Sequence, residues 1–165
     1  MSVAYASTAQ IAVAIKDKLL ADNVLPAGRV VISARFFSDT SSKADHFVVV
    51  RPNEMSAESN WEESKGRQCT VVNRTFSIDV YTRLGVDDTM KDEVWALGHF
   101  SYEDAIIDSL MIYQPVNGDG SAVTVCPIHF TGITHPDKIA TVPGWGTSTL
   151  NFAAEYVLTV NQNFQ

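Results

Sequence analysis

Between Thr70 and Arg83, apolar and polar residues alternate with a period of two. The even positions are Val72, Arg74, Phe76, Ile78, Val80 and Thr82, and the odd ones include Asn73, Thr75, Ser77, Asp79 and Arg83. This predicts one long strand with a face on a core and a face toward water or a partner. Gly85 breaks the strand, and Asp87, Asp88 and Thr89 offer N-cap chemistry. An apolar-periodic helix then runs to Tyr113 through Met90, Val94, Leu97, Ala105, Ile106, Leu110 and Ile112. Gly98 weakens its middle, so the reading divides it into Asp88 to Leu97 and Tyr102 to Tyr113, with Ser101 and Asp104 capping the second piece.

The same patterning assigns the rest of the chain. Ser7 to Asp22 reads as an amphipathic helix with Ile11, Ile15 and Leu19 on its apolar stripe. Ser7 and Gln10 have capping-box spacing. Arg29 to Phe37 reads as a strand with Val30, Ile32, Ala34 and Phe36 on one face and Arg29, Ser33 and Arg35 on the other. His46 to Arg51 is apolar on both faces, which predicts a central strand closed by Pro52. Asn53 to Arg67 has no period and reads as a loop, with one helical turn around Trp61. Ala122 to Thr131 reads as a strand, Thr134 to Gly146 as a Pro/Gly-rich loop, and Thr147 to Asn161 as a second long strand. In that last strand Leu150, Phe152, Ala154, Tyr156, Leu158 and Val160 share a face. Clustered strands with an intervening helix predict an α+β fold: a largely antiparallel sheet with the N-terminal helix and a central acidic helix packed on it. Two strands of about 14–15 residues outrun the core of a small domain, which suggests that they project as hairpins or pair with another subunit.

Length and composition narrow the function. The 165 residues read as a single domain, residues 1–165, large enough to bury a core without a staple. No run is apolar enough for a membrane span, and the first residues lack a signal-peptide pattern. Cys69 and Cys126 lie far apart without a CxxC partner and read as two reduced thiols in a reducing cytoplasm. The net charge of −7 argues against a dedicated nucleic-acid binder.

That charge is not spread evenly. From Leu84 to Tyr113, Asp87, Asp88, Asp92, Glu93, Glu103, Asp104 and Asp108 face only Lys91, so one element holds −6 of the −7. A solvated helix with acids in its first turn is the plain reading. The functional reading is an acidic surface for a basic partner, or for a channel through which DNA passes without sticking. Arg29, Arg35, Arg51, Arg67, Arg74 and Arg83 lie on or beside strands and could answer the acidic helix of a neighbouring copy. Trp61 and Trp145 are candidate exposed anchors.

No motif carries catalysis. His46, His99, His129 and His135 have no metal-ligand spacing, and Asn117-Gly118-Asp119-Gly120-Ser121 reads as a turn because it lacks the ligand pattern of a calcium loop. No nucleophile elbow, phosphate-binding loop or dinucleotide fingerprint occurs. The expectation is a non-enzyme without cofactors.

The order of elements resembles the tail terminator (tail completion) and neck proteins of tailed bacteriophages. The resemblance rests on the N-terminal helix Ser7–Asp22 and the Arg-and-apolar strand Arg29-Val30-Val31-Ile32. It rests also on the strand Phe76-Ser77-Ile78-Asp79-Val80-Tyr81 leading into the acidic helix, and on the final strand Leu150-Asn151-Phe152-Ala153-Ala154-Glu155-Tyr156-Val157. The long segment Asn53–Arg67 and the stretch Thr134–Gly146 depart from it. The resemblance implies a virion structural protein, assembled in the host cytoplasm, whose copies form a hexameric ring that caps the tail tube and joins it to the neck and connector. DNA would be passing cargo only. The interface or lumen candidates are Asp87, Asp88, Asp92, Glu93, Glu103, Asp104, Arg29, Arg35, Arg74, Arg83, Trp61 and Trp145. The alternatives are another phage assembly subunit (tail tube, neck adaptor or head completion) and a small hydrolase or ligand-binding domain with a site of dispersed Asp and His.

Overall fold

A computed structural model describes residues 5–34, 46–57, 62–64, 67–83, 89–134 and 145–161, with the side chains of 62–64, 67–70, 89–92, 95 and 159–161 excepted. The elements are α1 (Thr8–Ala21), β1 (Val30–Ile32), β2 (His46–Ala57), β3 (Glu62–Ser64), β4 (Arg67–Arg83), α2 (Thr89–Leu110), β5 (His129–Thr134) and β6 (Trp145–Asn161). The sheet runs β1-β2-β4-β6-β5, and β3 joins β4 beyond the end of β2. Every pairing is antiparallel except β1 with β2. The α+β expectation holds, with both helices on one face of the sheet.

The period-2 strand forms the axis. β4 and β6 pair without a slip from Arg67↔Asn161 to Arg83↔Trp145, a ladder of roughly 55 Å at about 3.3 Å per residue. Val72, Phe76, Ile78 and Val80 of β4 meet Leu150, Phe152, Ala154 and Tyr156 of β6 in one core. Ile11, Ile15 and Leu19 of α1 and Ile106 and Leu110 of α2 close it. α1 starts where its cap places it: Ser7 Oγ accepts from the Gln10 backbone N–H at 3.2 Å. The reciprocal half of a capping box is not made, because the Gln10 amide donates instead to Asn117 Oδ1 at 3.0 Å.

Several expectations need correction. β2 does not stop at Pro52; it continues to Ala57 across a bulge between Pro52 and Met55. Proline is tolerated there because β1 covers only Val48–Val50, leaving Pro52 on the sheet edge. The segment read as a loop, Asn53–Arg67, thus contributes strand to β2 and β3; Trp61 lies outside the described residues. β1 is only three residues long, and within it Val30 is buried while Ile32 is exposed. Arg35 and Phe36 lie outside the described residues. α2 is one unbroken helix through Gly98, not two pieces. The strand expected at Ala122–Thr131 is displaced to His129–Thr134. Ala122 and Val123 are buried from an irregular segment, pinned by Val125 N–H to Glu155 O at 2.7 Å and Ile128 N–H to Tyr113 O at 2.7 Å.

Candidate assembly site

No described feature gathers catalytic groups, and the candidate sites are surfaces. Three stand out: the far face of the sheet, the sheet extension beyond the core, and α2.

On the face away from the helices, Phe47, Val49, Tyr81 and Trp145 form a second buried cluster. Phe47 stacks on Tyr81 at 4.5 Å between centroids and meets Trp145 edge-on at 5.5 Å. Trp145 is therefore no exposed anchor: β6 begins two residues earlier than its alternation suggests and draws the indole into this cluster. The Arg83 guanidinium lies over the indole at 5.2 Å. Next along the strands is a polar row. Arg51 Nε and Nη2 donate to the two carboxylate oxygens of Asp79 at 2.9 and 3.2 Å, and Thr149 Oγ1 donates to Asp79 Oδ1 at 2.7 Å. Asp79 is fully buried. The fork geometry of the pair pushes the Arg51 pKa above its ordinary value, with burial opposing. Asn53, Ser77 and Asn151 continue the row at 3.1 and 3.0 Å. Alternation places Ser77 and Asp79 on the polar face of β4 and gives no sign that both are buried.

Arg74 takes the other side. It occupies an even position of β4, among the core residues, and its Nη1 donates to Thr8 Oγ1 at 3.1 Å. Thr8 in turn is bonded to the Tyr156 hydroxyl at 2.7 Å. Arg74 thus ties the start of α1 to the sheet. Arg29 is half-buried, and its carbonyl accepts from Val48 N–H at 2.8 Å.

Toward the Arg67 end of β4, Val72 and Tyr156 are the last fully buried positions among the described side chains, and Leu158 packs against the same core. Met55, Ser56 and Ala57 of β2 are exposed, and Val71, Val157 and Leu158 are half-buried. Beyond the end of β2, strands β3, β4 and β6 make a three-stranded arm.

α2 divides its acids. Glu93, Asp104 and Asp108 are exposed, whereas Glu103 is buried. Asp87 and Asp88 lie outside the described residues, as does the side chain of Asp92. Glu103 Oε1 lies 3.1 Å from His99 Nε2 without a hydrogen bond to it. The ring of His99 is bonded elsewhere: Nδ1 with Thr82 Oγ1 and Nε2 with Ser148 Oγ, both at 2.8 Å. His46 Nδ1 reaches the same Thr82 hydroxyl at 3.3 Å. This is not a nucleophilic triad. Serine and glutamate crowd one ring nitrogen, where a triad needs the acid on the other, and Ser148 is buried. The cluster instead fastens the first half of α2 to the ends of β4 and β6.

The ends of α1 and α2 frame an open groove of about 780 Å³. Asp22 there accepts from Ser109 Oγ at 2.7 Å and meets Lys18 Nζ at 3.0 Å. The serine hydroxyl first, then the lysine, lowers the Asp22 pKa below its ordinary 3.8. A general base held near neutrality needs the opposite shift, so Asp22 does not fit that role. Ile112, at φ 62°, sits on its rim in the left-handed region. Asp119 Oδ1 accepts from both N–H and Oγ of Ser121, which makes the Asn117–Ser121 segment a closed turn, as its sequence predicts. Cys126 is half-buried, and burial raises its thiol pKa. The side chain of Cys69 is outside the described set.

No family model matches this chain, and no curated protein matches it. Solved structures do. A chain of the virion of a native gene transfer agent particle is 17% identical, with a TM-score of 0.60 over 93% of this chain and 99% of that one. A chain from the PVC sheath/tube terminator of an extracellular contractile injection system, in its extended state, is 12% identical with a TM-score of 0.54. That match covers 98% of this chain but 60% of the other, so this chain spans about three-fifths of that neighbour's length. At such identities the shared property is the fold, and it is the fold expected from the resemblance to tail terminator and neck proteins.

Proposed function

We propose that this chain is a virion structural protein, a tail terminator whose copies form a ring that caps the tail tube and joins it to the head–neck complex. The observation that carries this reading is fold similarity across nearly the whole chain to components of two tail-bearing or virion particles, one of them a sheath/tube terminator. The three-stranded arm is in keeping with it. The ladder continues past its last fully buried pair, Val72 and Tyr156, and with half-buried Val71 and Val157 it offers a neighbour a head-to-tail contact of the kind that closes rings. Six copies, an acidic channel wall and DNA as passing cargo belong to the same proposal. The test is to add purified chain to preformed tail tubes and image them. Density at one tube end, with tube growth arrested, is the expected result; no association with tube ends overturns it.

The second reading is another subunit of the same particle class, a tube or neck adaptor component. It is favoured by the gene transfer agent neighbour, which aligns over 99% of its length as part of a virion. Incorporation along tubes, not at their ends, would select it.

A further inference from the structure

The outward face of α2 forms a stripe of its own. Val94, Leu97, Ser101, Asp104 and Asp108 recur at three- and four-residue spacing, and Met111 and Ile112 extend the line just past the helix end. All seven are exposed. The large apolar ones are open to solvent by 69% at Val94, 61% at Leu97, 50% at Met111 and 80% at Ile112. The stripe is therefore apolar at both ends and acidic in the middle, over about 27 Å at 1.5 Å per residue. Its far end becomes one wall of the 780 Å³ groove.

The charge on this face is net negative. Lys18, the cation in the groove, is neutralised by Asp22 at 3.0 Å and lies over the Tyr113 ring. No ion pair among the described residues reaches Asp104 or Asp108. Both helices end at the groove, and their C-terminal carbonyls add partial negative charge.

We propose that this face docks a helical segment of a different protein, about as long as the stripe, with apolar residues at both ends and basic residues at its centre. Charge complementarity selects that occupant over a second copy. Each copy carries −7, and three of the described arginines are engaged within their own chain: Arg51 with Asp79, Arg74 with Thr8 and Arg83 on Trp145. Acid facing acid lowers both affinity and encounter rate. Groove binding by an amphipathic helix needs only the anchors this stripe already displays. The proposal rests on the particle-component reading only for where the partner is met; the docking face is read from this chain alone.

The test is fluorescence anisotropy with the purified full chain and three 18-residue helical probe peptides. One has leucines at both ends of a face and three arginines at its centre; one is its scrambled isomer; one carries glutamate in place of arginine. The first is expected to bind at least about tenfold more tightly than the other two. Asp104→Asn and Asp108→Asn are each expected to weaken it about threefold, and added salt to weaken it further. Leu97→Ser or Val94→Ser should weaken it whatever the salt. Circular dichroism checks that each variant is folded, as exposed substitutions predict. Equal binding of the peptide and its scramble, no binding at all, or indifference to all four variants overturns the proposal. Sedimentation showing that the chain self-associates through Leu97 and Asp104 overturns it in favour of a second copy. The assay contains no tail tube, so failure here and failure of tube capping are separate results.

Discussion

Asp79 has no exposed surface, and three donated bonds from two residues hold it. Removing one member of such a pair leaves the other desolvated and uncompensated. Asp79→Ala is therefore expected to cost about 3 kcal/mol in urea unfolding, and Arg51→Met in the same background to recover part of it. Additive losses would show that the pair is not coupled. Asp22 gives a prediction in pH. Its folded-state pKa lies below the unfolded 3.8, so the stability it adds is present above that value and lost as pH falls through the lower folded value. The Ser109 hydroxyl is the largest cause. The difference in Tm between wild type and Ser109→Ala should be constant from pH 7 to about 5 and shrink as pH approaches 2. A gap undiminished at pH 2 would mean that Ser109 acts by packing alone. At this scale the sequence shows residue type and face, not partner. Asp79 reads as a polar position facing water or a partner and Arg51 as a candidate for a neighbouring copy, yet the two pair within this chain. Arg74 reads as a candidate for a neighbouring copy, yet it bonds Thr8 in its own chain.

Among the elements, α2 is held in two different ways. Its second half packs Ile106 and Leu110 into the core, while its first half is fastened by His99 to Thr82 and Ser148. Ser148→Ala and Thr82→Val are each expected to cost about 1–2 kcal/mol and to raise amide hydrogen exchange in the Leu97–Ser101 turn more than near Leu110. Gly98 sits in that weakly held half, and a Cβ added there meets nothing within 4 Å. Gly98→Ala should therefore stabilise the protein by up to about 1 kcal/mol, read as a shift of the urea midpoint at unchanged slope. A destabilised variant would mean that the helix needs to yield at this point. These elements also mark where legibility ends. α1, β4 and β6 were readable because one face meets a core and the other does not, which writes a period into the chain. The end of β2 and all of β3 were not, because the arm lies past the last fully buried pair and no burial imposes alternation on Asn53–Ala57. β5 was misplaced because Ala122, Val123 and Ile128 are buried from an irregular segment that mimics a strand's composition. The exposed stripe of α2 was missed because Val94, Leu97 and Ile112 counted as core residues, while His99 and Glu103 take the buried face.

At the scale of the molecule, the helices cover one end of a sheet whose axis is far longer than they are. Seventeen paired residues in β4 and β6 support a core whose last fully buried pair among the described side chains is Val72 and Tyr156, and the backbone pairing continues beyond it, with β3 joining β4. A domain stabilised only for itself gains little from such an extension, since ordering each residue costs about 1–2 kcal/mol of conformational entropy. Contact with another subunit is what can offset that cost. Met55 lies beside the start of this arm, exposed near the end of β2 and paired with Arg74. Met55→Lys should therefore leave monomer stability within about 0.5 kcal/mol of wild type while reducing ring formation and tube-end binding. The two readouts separate the roles. Loss of assembly with an unchanged urea midpoint supports the arm as the subunit contact, loss of both makes it part of the fold, and full assembly by the variant removes the end of β2 from the interface. Asp104→Asn, on the face assigned to a different protein, should leave ring formation intact, so the arm and α2 answer for different partners.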